Sequence, residues 1–368
     1  MITNFRKALS LTTAIVMASS AVAYAEPSAE LIEAAKKEGM LTTIALPHDW
    51  CGYGAVIDGF KKKYPEITVN ELNPDAGSAD EVEAIKANKD NKGPQAPDVV
   101  DVGLAFGPQM KAEGLLQPYK VSTWDEIPAE VKDADGFWYG DYYGVMSLLV
   151  NKDLVANTPK DWSDLLKPEY AGQVALAGDP RASNQAILGV LAAGLASGAK
   201  AGKDAGEAGL KYFGELNKAG NFVPVIGKSG TLAQGATPIV VMWDYNALAA
   251  KDTLAGNPPV EVVVPASGVL AGVYVQGISA FAPHPNAAKL WMEYLYSDEG
   301  QTAWLAGYCH PARFNAMSKA GKIPQALLDK LPPAASYEKA YFPTLEEVDA
   351  NKAAVTGAWD SVVGANVQ

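Results

Sequence analysis

Histidine and cysteine are scarce in this chain of 368 residues, with three of the first and two of the second. That scarcity leaves little material for zinc or thiol chemistry, which needs several such side chains together. There is no G-x-S-x-G elbow and no H-E-x-x-H pair. Gly227-Lys228-Ser229 looks like the tail of a phosphate-binding loop, but Phe222 stands where the first glycine is required. Basic side chains are also short: 30 Lys and Arg face 42 Asp and Glu, for a net charge of −12. Arg6 and Lys7 lie in the first 25 residues, which hold no acids, so the remainder is more acidic still. No basic run with interleaved aromatics occurs. Nucleic acid and anionic membrane, which demand a basic face, are thereby excluded as main partners.

What is present describes a globular protein of two ordinary domains, with 48% hydrophobic and 20% charged residues. The N-terminus reads as a secretory signal peptide over residues 1–25. Arg6 and Lys7 give a positive start, Ala8 to Val22 is small and apolar, and Ala23-Tyr24-Ala25 supplies the cleavage site. A membrane anchor is the competing reading, but the run is short, diluted by Ser and Thr, and followed at once by Glu26-Pro27. The mature chain is expected in the periplasm. In that oxidising compartment Cys51 and Cys309 are expected as a single disulfide. The competing readings are two buried thiols, a Cys/His nucleophile, or a zinc site completed by His48 and His310. We expect no metal, no cofactor and no catalytic group.

Along the chain, strand–loop–helix units repeat, the pattern of a sheet flanked by helices. Ser28 caps a first helix that ends at Gly39, and strands are expected at Leu41–Leu46, Thr68–Leu72 and Asp98–Val102. Further strands are expected at Tyr143–Val150, Gln173–Ala177, Thr237–Met242, Glu261–Val264 and Val273–Ala282. Helices are expected from about Gln185 to Leu195 and from Pro285 to Tyr296. The Ala/Gly/Lys stretch from Gly198 to Gly209 reads as an exposed connection. No repeat of 20–50 residues is present.

Ligands of open α/β sheets bind beyond the carboxyl ends of the strands. Four such ends carry glycine, carboxylate and aromatic residues: Asp49, Trp50 and Tyr53; Asp75 and Ser78; Asp179, Arg181 and Ser183; Trp243, Asp244 and Tyr245. Two lie early and two in the middle, so two domains are expected to face each other across a cleft. Aspartates beside aromatic faces favour an alkylammonium group. Arg181 and Ser183, ahead of a helix, favour an anion. A ligand bearing both charges satisfies both.

Three segments resemble a known family. Thr158-Pro159-Lys160-Asp161-Trp162-Ser163-Asp164-Leu165-Leu166-Lys167-Pro168-Glu169-Tyr170-Ala171-Gly172 is similar to a framework stretch of extracellular solute-binding proteins of ABC importers, the cluster with ferric-ion, polyamine, thiamine and phosphonate binders. Tyr143-Gly144-Val145 through Val155 resembles the strand by which these proteins cross between lobes. Ala282-Pro283-His284-Pro285 through Gln301 resembles their late helix pair. The resemblance implies an α/β, two-lobe type II periplasmic-binding-protein fold, with two doubly wound sheets, a hinge and a central cleft. It implies lobe one from residues 26–142 plus 271–308 and lobe two from 143–270 plus 309–368. It further implies a monomer that takes a small-molecule solute to an ABC permease in the inner membrane. No Tyr-Tyr pair of the ferric-ion binders follows Met242, where Trp243 and Asp244 stand as in polyamine binders. The expected solute is therefore amine-bearing and polyamine-like, with Asp49, Trp50, Tyr53, Asp75, Ser78, Arg181, Ser183, Trp243, Asp244 and Tyr245 as its contacts. Ferric ion or a phosphorylated or phosphonate solute is the alternative within the family, and a secreted hydrolase is the alternative outside it.

Overall fold

A computed structural model describes residues 26–331 and 340–368; the expected signal peptide lies outside the described residues. Ser28 Oγ accepts the Leu31 N–H at 3.2 Å and starts the helix Ala29–Glu38, which stops at Gly39 with φ 70°. Strand β1 (Met40–Ile44) follows and pairs in parallel with β2 (Thr68–Leu72), the unit closed by helix Tyr53–Lys63.

Next come β3 (Val99–Gly103), β4 (Leu116–Gln117), β5 (Trp138–Asn151), β6 (Val174–Leu176) and β7 (Ile239–Trp243). The last are β8 (Val260–Val263), β9 (Ala271–Ser279) and β10 (His310–Pro311). The larger sheet has the order β3-β9-β5-β7-β6, with β4 on β9 and with β8 and β10 on β5. The repeated units pair in parallel in β1–β2 and β6–β7, whereas β5 and β9 run antiparallel to their neighbours. β5 is longer than its expected span because it serves two sets of partners. Trp138 to Val145 pairs with β9, and Met146 to Asn151 pairs with β7 and β8. A strand covered on both faces is apolar throughout, as this one largely is.

The stretch expected as an exposed connection at Gly198–Gly209 is corrected in part. The helix Lys203–Lys218 begins inside it and packs on the helix Asn184–Ala196. A Cβ at Gly194 would lie 1.8 Å from the Ala205 carbonyl oxygen, and one at Gly209 would lie 2.0 Å from that of Val190. Small residues there permit close helix contact, a use that composition alone does not distinguish from a loop. Helix Leu345–Val362, capped by Thr344, covers both and buries Trp359 against Phe213 and Phe222. At the other end Pro285–Leu295 packs on Ala29–Glu38. Cys51 and Cys309 are joined in a disulfide with their Cα atoms 5.4 Å apart. With both sulfurs bridged, neither a zinc site nor a thiol nucleophile has its essential atom.

Candidate functional site

Loops after β1, β2 and β6 and the segment 226–231 enclose a cavity of about 710 Å³. From the early chain come Asp49, Trp50, Asp75, Ser78, Glu81 and Asp101; from the middle come Asp179, Ser183, Asn184, Gln185 and Lys228. The early side supplies a floor of buried carboxylates. Asp101 Oδ2 accepts the Tyr142 hydroxyl at 2.6 Å, and Glu81 Oε2 accepts the Asp101 N–H at 3.0 Å. Behind them, Asp141 Oδ2 accepts from Gln276 Nε2 at 3.0 Å, and the same nitrogen donates to the Tyr53 hydroxyl at 2.8 Å. Trp50 Nε1 donates to the Tyr142 hydroxyl at 2.7 Å and sets its ring edge-on to Tyr274, which also lines the cavity.

Burial penalises the charged form of each carboxyl. It pushes Asp101 up to about 6 and raises Asp141 and Glu81 well above the ordinary range, the charge of Asp101 adding to both. Among the described residues, none of the three makes a hydrogen bond or ion pair with Lys, Arg or His.

The opposite side offers donors. Asn184 opens a 13-residue helix and is 3% exposed. Its Nδ2 finds no acceptor among the described residues. The side chain sits over Gly103, where a Cβ would lie 2.0 Å from it. Gly103 N–H donates to Ser78 Oγ at 3.1 Å, so Ser78 and Asn184 meet at the end of β3. Across the mouth Lys228 Nζ pairs with Asp75 Oδ1 at 3.0 Å.

Of the ten expected contact residues, Asp49, Trp50, Asp75, Ser78 and Ser183 line the cavity. Tyr53, Arg181, Trp243, Asp244 and Tyr245 do not. Tyr53 is fully buried beneath the floor, reached through Gln276. The Arg181 guanidinium turns toward the C-terminal segment, held by Asp179 at 2.9 Å, Asp360 at 3.3 Å and Asn366 at 2.9 Å. Trp243 fills the space under Gly272 and stacks on Tyr245. Tyr245 is itself buried at the edge of Trp50. Asp244 Oδ1 accepts the Val145 N–H at 2.8 Å, pinning β5 where its partners change.

Glu81, Asp101, Asp141 and Asn184 escaped the sequence reading. Asp101 carried a signal, since it interrupts Val99-Val100-Asp101-Val102, where a charge in a buried strand calls for explanation. Asp141 is similarly placed among aromatics. Glu81 reads as one more solvated charge on an amphipathic helix, and Asn184 as a helix opener.

Residues 95–339 match the family described as "Bacterial extracellular solute-binding protein". The chain belongs to this family. An uncharacterized protein of Haemophilus influenzae is 31% identical over 267 residues, 67% of this chain and 70% of that one. A putative 2-aminoethylphosphonate-binding periplasmic protein of Salmonella typhimurium is 27% identical over 212 residues, 56% of this chain and 59% of its own. Among solved structures, the periplasmic binding protein AfuA from Actinobacillus pleuropneumoniae, with fructose-6-phosphate bound, superposes with a TM-score of 0.66. That likeness covers 88% of this chain and 98% of the other at 20% identity, and it shows the shared fold. This solute-binding protein therefore has the two-lobe architecture of periplasmic binding proteins. Its family is described as solute-binding, and the structural neighbour is a periplasmic binding protein.

Proposed function

We propose that this solute-binding protein captures an amine-bearing, polyamine-like organic cation between its lobes and hands it unaltered to a membrane permease. One observation carries the reading. Six carboxylates line the cavity (Asp49, Asp75, Asp80, Glu81, Asp101 and Asp179) against Lys228 as the cation. Asp179 is neutralised by Arg181 and Asp75 by Lys228 itself; of the other four, Asp80 accepts the Gly77 N–H and Asp49 is exposed, which leaves the buried Asp101–Glu81 floor as the seat for an ammonium group. The Trp50 and Tyr274 rings beside it suit an alkylammonium. We assign contact roles to Asp49, Trp50, Ser78, Glu81, Asp101, Ser183 and Asn184. Lobe one is assigned to residues 26–142 plus 271–308, to which the segment from Cys309 to Lys322 must be added against expectation because Cys51, Glu126 and Asp298 hold it; lobe two takes 143–270 and 340–368, the lobes hinging at β5. A ligand that touches both walls favours the closed form, which is the form a permease would read.

A second reading has its own observation. The unpartnered Nδ2 of Asn184, at a helix N-terminus opposite the acidic floor, suits an anionic end on the same ligand. A short amine carrying phosphonate or carboxylate would use both walls, and the Salmonella relative bears the name of such a compound. For ferric ion the support is weaker: among the described residues no three His, Cys, Asp or Glu gather so as to hold a metal.

Titration calorimetry with putrescine, spermidine, 2-aminoethylphosphonate, fructose-6-phosphate and ferric citrate tests the proposal. The expected result is one saturable site for an amine, with the compound recovered unchanged after denaturation. Heat from the sugar phosphate or iron alone, or recovery of a cleaved product, overturns it.

A further inference from the structure

Asp101 lies opposite Gln276 in the β3–β9 register, and Gln276 Nε2 donates to Asp141 Oδ2 at 3.0 Å, so the two buried acids flank one residue beneath the cavity. Each has neutral donors for part of its capacity. Asp101 Oδ2 takes the Tyr142 hydroxyl, while Asp141 takes the Tyr142 N–H at 2.6 Å and Gln276 Nε2. Asp101 Oδ1 has no hydrogen-bond donor among the described residues. Among the described residues the titratable groups facing the pair are Glu81 from helix Ser78–Ala87, Tyr53 from helix Tyr53–Lys63, Tyr142 from β5, Tyr274 from β9, Tyr245 from the helix after β7, and Tyr296; on the β10 segment packed against β5, His310 stacks on Tyr143 and Arg313 turns to Glu126 and Asp298. Two neighbouring carboxyls, both buried and neither bonded to a cation among the described residues, do not both ionise; the stable state is one proton kept by the pair. Their cavity also holds the Asn184 amide with an unused donor, the mark of a place built to receive a polar guest.

We propose that this solute-binding protein exchanges a proton for its ligand, an ammonium group arriving at Asp101 displacing the proton shared by Asp101 and Asp141. The inference rests on the amine reading above and adds to it a coupling and a second residue, Asp141, that the ligand does not touch. The step balances simply. An R–NH₃⁺ enters, the O–H bond of the shared carboxylic acid breaks, both carboxyls become carboxylates, and one proton leaves to water. No net charge is added to the cleft. Asp141 is thus a positioning residue: it sets how many negative charges Asp101 shows to the guest. The sign follows from linkage: binding releases a proton, so affinity rises with pH until the pair is ionised without help.

The test uses infrared spectroscopy and calorimetry on the full protein with putrescine as the probe. Ligand-free protein at neutral pH should show the C=O stretch of buried carboxylic acid, and saturating putrescine should remove the part of it that Asp141→Asn also removes, Glu81 accounting for the rest. The heat of binding should depend on the ionisation enthalpy of the buffer, with affinity rising by up to about tenfold per pH unit. Asp141→Asn should flatten that rise. Its amide can be received by turning Gln276, whose Oε1 has no partner. If that variant does not fold, the wild-type spectra and buffer series still decide. Putrescine binding with no acid band lost, or with heat and affinity indifferent to buffer and pH, overturns the proton exchange and leaves the amine reading standing. An acid band that persists because no amine binds overturns the amine reading, and the exchange with it.

Discussion

Asp98 immediately precedes β3 and Asp101 lies within it, three residues on; the interior has taken both, yet they live in different surroundings. Asp98 Oδ2 accepts the Thr42 N–H at 2.7 Å and the His284 ring at 2.9 Å, and Oδ1 accepts the His284 N–H at 2.8 Å. Its own N–H donates to the Thr42 carbonyl, so it ties β1 to the main sheet. Asp101 takes one hydroxyl and keeps an oxygen without a donor, at a cavity rather than at a seam. A buried carboxylate with every acceptor used is a structural rivet. One with an acceptor to spare, at the wall of a cavity, is a waiting partner.

The largest effect that could break this contrast comes from Asp98→Ala. It leaves the Thr42 and His284 N–H groups buried without acceptors and should cost about 3–5 kcal/mol in chemical denaturation. Asp101→Asn, of nearly the same shape, should leave that midpoint unchanged or higher while weakening amine binding by about 2–5 kcal/mol in calorimetry. Equal destabilisation by the two would erase the distinction. A smaller effect belongs to Gly103, two residues further on. Gly103→Ala drives a methyl into Asn184 and should oppose closure by about 1–3 kcal/mol, seen as a larger radius in ligand-saturated scattering profiles. An unaltered radius would show that Asn184 yields. The smallest is Lys228→Ala. The Lys228–Asp75 pair is exposed at the mouth, and its loss should change affinity by less than about 1 kcal/mol, less again at high salt. A larger loss would move the seat of binding from the floor to the rim.

Much of the fold was written locally. Ser28 and Gly39 frame their helix because a hydroxyl and a left-handed glycine meet needs that are settled within a few residues. The span Thr68–Leu72 is found as expected, and Val99–Gly103 lies one residue from its expected place. The cleft was less legible. Trp243, Asp244 and Tyr245 sit at a strand end as expected, but the close approach of Gly144 and Gly272 buries them. Arg181 precedes its helix as expected, but the chain's far end, at Asp360 and Asn366, claims it. No rule of spacing brings residues so far apart in sequence into contact.

The order of strands and helices, the acidic balance and the framework segments of the family belong to the sequence alone, since caps, periodicity and charge are properties of neighbours along the chain. Which carboxylates are buried, which of them share a proton and which residues face the cavity belong to the tertiary structure. Solvation and Coulomb energies depend on distance in space, and Tyr142 and Gln276 come to Asp101, and Asn184 to Gly103, only after the chain has folded.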